Sequence, residues 1–257
     1  QPQFGGQKIN IMKKIIIALL IAGSFFTACT TDDTANVSKV TYFPIFTILG
    51  ANPYFVALGT PYTDPGAIAK EASTVIPHTT VATGKYRGTA TLDTSKSDEY
   101  NVVYSATNSD GFVGTGSRKV IVWKNGDLVN SIEGLYTCTI SRNGATPGAS
   151  YINIKYIYIW KNANGTYQIS DAFGGWYEYG RALGVGYITP GGTIEAVDIA
   201  TNSFTFPGNP LTNTGFGGTA KLTDLTVNAA TKTLVLTCTW LAPTAYTFVS
   251  TLKQVQP

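Results

Sequence analysis

Apolar and polar residues alternate with a period of two along most of this chain, a pattern that predicts strands rather than helices. Residues 100–107 show it clearly: Val102, Tyr104 and Ala106 share one face and Asn101, Val103 and Ser105 the other, before Asp110-Gly111 turns the chain. Strand-like runs at 40–49, 54–58, 82–91, 100–107 and 118–123 are separated by Asn52-Pro53, Thr63-Asp64-Pro65-Gly66 and Ser109-Asp110-Gly111. This spacing predicts a sandwich over 39–126. A stretch at Lys124-Asn125-Gly126-Asp127 links it to a second domain over 127–257. There the runs 151–160 and 167–171 flank an Asn164-Gly165 hairpin turn, joined by 134–142, 193–199, 203–206, 220–227, 233–241 and 245–252. About eight antiparallel strands of this kind close a small barrel or sandwich, so the whole chain is expected to be all-β.

Composition sharpens this picture. The 257 residues are 44% hydrophobic and 13% charged, with 37 Thr and 15 Tyr, which excludes a disordered chain and favours strands. The formal charge of +3 is matched by Lys8, Lys13 and Lys14, and from Cys29 onward acidic and basic residues balance. No basic face is available for phosphates, so nucleic acid is not an expected partner.

Met12, Lys13-Lys14, the apolar run 15–22 and Phe25-Phe26-Thr27-Ala28-Cys29 have the order of a signal peptide, with 1–11 read as upstream sequence. The apolar run falls well short of the ~20 residues that span a bilayer. A small residue before Cys29 resembles the lipobox of bacterial lipoproteins; Phe26 stands where Leu is usual, a substitution that Bacteroidetes-type lipoproteins tolerate. The resemblance implies removal of residues up to 28, acylation of Cys29, and the outer membrane as partner and location. Asp32-Asp33 resembles the export signal to the cell-surface side, and the small polar residues of 29–38 suit a flexible tether.

Tyr62-Thr63-Asp64-Pro65-Gly66-Ala67, the run from Tyr100 to Gly111 and Arg118-Lys119-Val120-Ile121-Val122 resemble the immunoglobulin-like repeat domains of bacterial surface proteins. That family implies a spacer with no chemistry of its own. Its alternating pattern supplies a separate core, so 39–126 is expected to fold alone. The order of lipobox, Ig-like module and C-terminal β-domain resembles Bacteroidetes-type outer-membrane lipoproteins of unassigned function. Many of these accompany glycan-uptake systems, which implies a glycan or an outer-membrane transporter component as partner.

Candidate chemistry is sparse. His78 is the only histidine and reads as a loop or strand-edge residue. Without CxxC, HExxH or a phosphate-cradling loop, no metal or nucleotide cofactor is expected. Asp93, Asp98 and Glu99 read as a calcium loop or a solvated turn. Cys138 and Cys238 point to a core, either bridged or as two buried thiols. Glu178, set among aromatics, is the best general-acid candidate for a glycoside hydrolase, with Asp171, Glu195 or Asp198 as partner. The densest feature is 171–181. In one reading Trp176, Tyr177 and Tyr179 stand out to stack on sugars while Glu178 and Arg181 bond hydroxyls. In the other the rings are core. The reading that follows is a non-catalytic surface lipoprotein without a cofactor that binds glycan or a transporter component; a structural assembly role and a hydrolase using Glu178 are the alternatives.

Overall fold

The computed structural model describes residues 40–241 and 244–257, and its architecture is all-β. The N-terminal part is a sandwich. One antiparallel sheet has the order β1 (Ile45–Ile48), β3 (Ala67–Glu71), β4 (Thr74–Ile76). The other has the order β2 (Tyr54–Ala57), β7 (Val113–Trp123), β6 (Asp98–Thr107), β5 (Thr79–Gly84), with β2 parallel to β7. Val102 and Tyr104 turn inward with Val56, Ala67, Val120 and Val122, the face that their alternation predicts. Gly116 on β7 lets β1 approach closely, since a Cβ there would sit 2.7 Å from Phe46.

A buried cation organises this domain. Arg118 is 0% exposed. Its guanidinium donates to the carbonyls of Ala51 (2.6 Å), Gly66 (3.1 Å) and Leu49, to the Tyr104 hydroxyl (3.2 Å), and lies 3.4 Å from Asp64. Asp64 also accepts from Tyr104 (2.7 Å), Tyr62 (3.1 Å) and the Gly66 amide (3.0 Å), which holds its carboxyl below the usual range although burial opposes the shift. The Tyr62 to Gly66 motif is therefore the loop that supplies the counter-charge for a core arginine.

The expected strand over 82–91 stops at Gly84. Beyond it the Asp98 carboxylate captures the amides of Tyr86 and Arg87, both at 3.0 Å, so these donors are taken from any neighbouring strand. Strands β3 and β4, absent from the sequence reading, are short segments whose inward residues include Ala67 and Ala69.

The C-terminal part is one nine-stranded antiparallel sheet, curled into a half-barrel around its core. Its strands are β8 (Gly134–Arg142), β9 (Ile154–Lys161), β10 (Tyr167–Ile169), β11 (Gly192–Asp198), β12 (Ser203–Thr205), β13 (Leu211–Asn213), β14 (Gly217–Asn228), β15 (Thr233–Leu241) and β16 (Ala245–Gln254). The order runs β12-β11-β10-β9-β8-β16-β15-β14-β13, so the first and last strands pair at the centre. Strand β16 lies between β8 and β15, which separates Cys138 from Cys238. Both are buried free thiols, and burial raises both, Cys238 to about 12.

Strands β8 and β9 are covered on both faces. Tyr136, Ile157 and Ile159 enter the half-barrel core, while Leu135, Tyr158 and Trp160 pack on Ile121 of β7, flanked by Phe55, Tyr86 and Trp123. Asn125 ties the junction between the domains, accepting from the Leu135 amide (3.0 Å) and donating to the Val255 carbonyl (2.5 Å). Replacing Arg118 with Leu is expected to lower unfolding free energy by ~3 to 5 kcal/mol, because it leaves Asp64 and several carbonyls without their partner. Urea unfolding checks this, and a loss under ~1 kcal/mol would contradict the role given to Arg118.

Candidate functional site at the domain seam

The segment from Asp171 to Ile188 carries most of the residues that sequence reasoning singled out. Asp171 is fully buried and accepts from three backbone amides, Phe173 (3.0 Å), Gly175 (2.9 Å) and Thr189 (2.9 Å). Gly174 and Gly175 have φ of 64° and 89°, which turns the chain into a single π-type turn over Trp176–Gly180. An extended segment would have put Trp176 and Glu178 on one side. The turn instead sends Trp176 and Tyr177 into the half-barrel and Glu178 and Tyr179 to the seam with the Ig-like domain.

The aromatic run has the core placement. Trp176 is 7% exposed, with the Tyr151 ring stacked on it at 3.8 Å and the Arg142 guanidinium 4.9 Å from its centroid. Tyr177 is buried against Phe173, Trp240 and Phe248. The stacking reading requires exposed rings at these two positions, and both are covered by neighbouring side chains. Arg181 is exposed, and its backbone amide closes the turn on the Trp176 carbonyl at 3.0 Å.

Glu178, 3% exposed, is engaged across the seam. Lys85 lies 2.7 Å from its Oε1, and the Tyr86 hydroxyl donates to the same oxygen at 3.0 Å. Lys85 also donates to the Tyr179 hydroxyl (2.7 Å), which lies 2.9 Å from that of Tyr86. Lys85 next reaches Glu99 (3.3 Å), and Lys119 reaches the same Glu99 oxygen (3.0 Å). The result is a chain of alternating charge, Glu178, Lys85, Glu99, Lys119, with two tyrosines bridging its inner end. Burial raises the Glu178 carboxyl while Lys85 pulls it down, and burial with Glu178 and Glu99 pushes Tyr179 up to about 12, so it remains a neutral donor.

The remaining candidates lie apart from this chain. Asp171 is pushed up to about 7 by burial, with Glu178 adding to the rise and its three amide donors opposing it. Glu195, in the middle of β11, accepts from Thr205 (2.8 Å), and Asp198, at its end, from the Ala200 amide (2.9 Å) and Thr201 (2.8 Å); both are exposed. Asp93 caps Ser95 and pairs with Lys96 at 3.1 Å, while Asp98 turns inward to amides, so the two do not form one loop site. Among the described residues no cluster of His, Cys, Asp and Glu has metal-binding geometry. His78 is half-buried, edge-on to Phe46 and Tyr104. The upstream residues and expected signal peptide over 1–28, Cys29 and the expected tether over 29–38 lie outside the described residues. Sequence reasoning missed Lys85, Tyr86 and Lys119; the Gly84-Lys85-Tyr86-Arg87 stretch has no local sign of a partner more than ninety residues away.

Comparison with known proteins adds three findings. A family model described as a bacterial surface protein Ig-like domain matches residues 46–122, and one described as a C-terminal domain matches residues 125–254. The solved lipoprotein BT2262 from Bacteroides thetaiotaomicron is similar, with 25% identity and a TM-score of 0.59 over 82% of this chain and 100% of that one. Among curated proteins no relative matches.

Removing one member of the buried pair should be costly. Lys85→Met is expected to destabilise by ~3 kcal/mol, because Glu178 is left buried without its cation, whereas Lys85→Met with Glu178→Leu should recover most of that loss. Additive losses in urea unfolding would contradict the pairing. The pH dependence follows from Asp171 and Asp98, both raised by burial. Unfolded carboxyls ionise near ~4, whereas these hold their protons higher, so the folded state binds more protons in between and stability falls as pH rises from there to about 7. Denaturant midpoints at fixed ionic strength that rise over this interval would contradict it.

Proposed function

Since this chain belongs to a family of surface lipoprotein-like proteins, with a bacterial-surface Ig-like domain ahead of the C-terminal domain that defines it, we propose that it is a non-catalytic binding protein held on the outer membrane by acylated Cys29. The Ig-like domain serves as the spacer, and a glycan or an outer-membrane transporter component is the partner. One observation carries the non-catalytic reading: Glu178, the best acid candidate, is buried and spent on Lys85 and Tyr86. A general acid has to reach a leaving-group oxygen, and its second carboxylate has to face the sugar from the other side. Asp171, the nearest candidate in sequence, has both oxygens on backbone amides instead.

Anchoring rests on the lipobox resemblance at Cys29. Several acyl chains on one residue, each methylene contributing ~0.8 kcal/mol, hold a water-facing domain durably at a bilayer. Cys29→Ser is expected to abolish fatty-acid labelling and move the protein from the membrane to the soluble fraction. Labelling that persists in that variant would overturn the anchor. Incubation of the full chain with neutral polysaccharides should release no reducing ends. Release that disappears in Glu178→Gln would favour the hydrolase reading instead.

A further inference from the structure

The outer face of the Ig-like sheet forms a recess of about 430 Å³ beside the seam, lined by Thr83, Lys85, Glu99, Asn101 and Lys119, with Val185 added from the C-terminal domain. Thr83 stands opposite Asn101, and Asn101 opposite Lys119, so a hydroxyl, an amide and an ammonium form one row across three strands. Glu99, two residues before Asn101, shares that face.

The hydrogen-bond accounting differs among these groups. Lys85 is committed to Glu178, Glu99 and Tyr179. Lys119 pairs with Glu99 alone, and its side chain is 43% exposed. Glu99 uses Oε1 for both lysines, while its buried Oε2 has no hydrogen-bond partner. The recess thus keeps spare donors on Lys119 and both donor and acceptor capacity on the exposed side chains of Asn101 and Thr83, while Glu99 Oε2 is closed off from it. Two other recesses, beside Asp198 and beside His78, contain no such unsatisfied buried atom.

We propose that this recess binds a neutral polyhydroxylated ligand, a sugar ring, with Lys119 donating to one hydroxyl and Asn101 and Thr83 each bonding a neighbouring one. Charge selects the class. Lys85 and Lys119 are each paired with a carboxylate, Glu178 and Glu99, so the lining offers an ion no net opposite charge, whereas vicinal hydroxyls both donate and accept. Val185 offers an apolar contact for the C–H face of the ring, and the volume lies within the ~300 to 1,000 Å³ usual for small-molecule sites. This inference rests on the binding reading above and moves the ligand from the aromatic run over 174–181 to the seam.

The test is calorimetric titration of the full chain in detergent with neutral gluco-, manno-, galacto- and xylo-oligosaccharides and one uronic-acid oligosaccharide. At least one neutral oligosaccharide should bind. Asn101→Ala and Thr83→Ala, at a surface row, should each weaken it about tenfold, the effect of one lost hydrogen bond, with the thermal midpoint unmoved. Lys161→Ala, beside the Asp198 recess, should leave binding unchanged. Neutral-sugar binding that is indifferent to Asn101 and Thr83 would overturn the recess while leaving the binding reading standing. Binding of the acidic oligosaccharide alone would overturn the charge argument, and no binding by any of them would overturn both.

Discussion

A carboxylate removed from water must find a cation, and Glu178 finds its cation in the other domain. Lys85, 2.7 Å away, follows directly on the end of β5 in the Ig-like sheet, and Glu178 sits in the turn that closes one side of the half-barrel. Lys85 has Glu99 in its own domain at 3.3 Å, whereas the cation for Glu178 comes only from across the seam. Separating the two domains would leave Glu178 unpaired and would uncover Ile121, Leu135 and Tyr158, each 1% exposed or less. The geometry of the seam therefore constrains much else: the turn over Trp176–Gly180, the loop after β5 whose amides Asp98 holds, and the tied junction at Asn125.

This arrangement has a functional consequence. A spacer that merely lifted a binding domain from the membrane would need only a flexible linker. Here the linker is bonded at Asn125, and the interface contains a shared apolar cluster and a four-member charge chain, so the Ig-like and C-terminal domains are packed as one compact body over Phe43–Pro257. Residues from both sides line the recess at its edge. The polar groups of the recess all belong to the Ig-like sheet, and docking adds the apolar edge at Val185.

Much of the strand pattern was legible in the sequence. The expected runs 134–142 and 233–241 coincide with β8 and β15, where alternation is strong and turns are clear. Strands β3, β4 and β13, of three to five residues, were too short to show a period. The run beyond Gly84 looked extended because nothing local reveals that Asp98 takes its amides. One trace of the seam was present: Ile157, Tyr158, Ile159 and Trp160 break the alternation because both faces of β9 are covered. The aromatic run over 171–181 left two readings open, since ring burial depends on what the opposite strands bring. Glu178 stood out by composition, but its partners Lys85 and Tyr86 are contributed by tertiary structure alone.

The central claim is that the Ig-like domain, expected from its own alternating core to fold alone, unfolds together with the C-terminal domain because the two share the apolar cluster around Ile121 and a buried ion pair. Differential scanning calorimetry on the chain from Thr30 onward tests it directly. The account predicts a single transition whose calorimetric and van't Hoff enthalpies agree. Two resolved transitions, with the Ig-like domain melting independently, would contradict it.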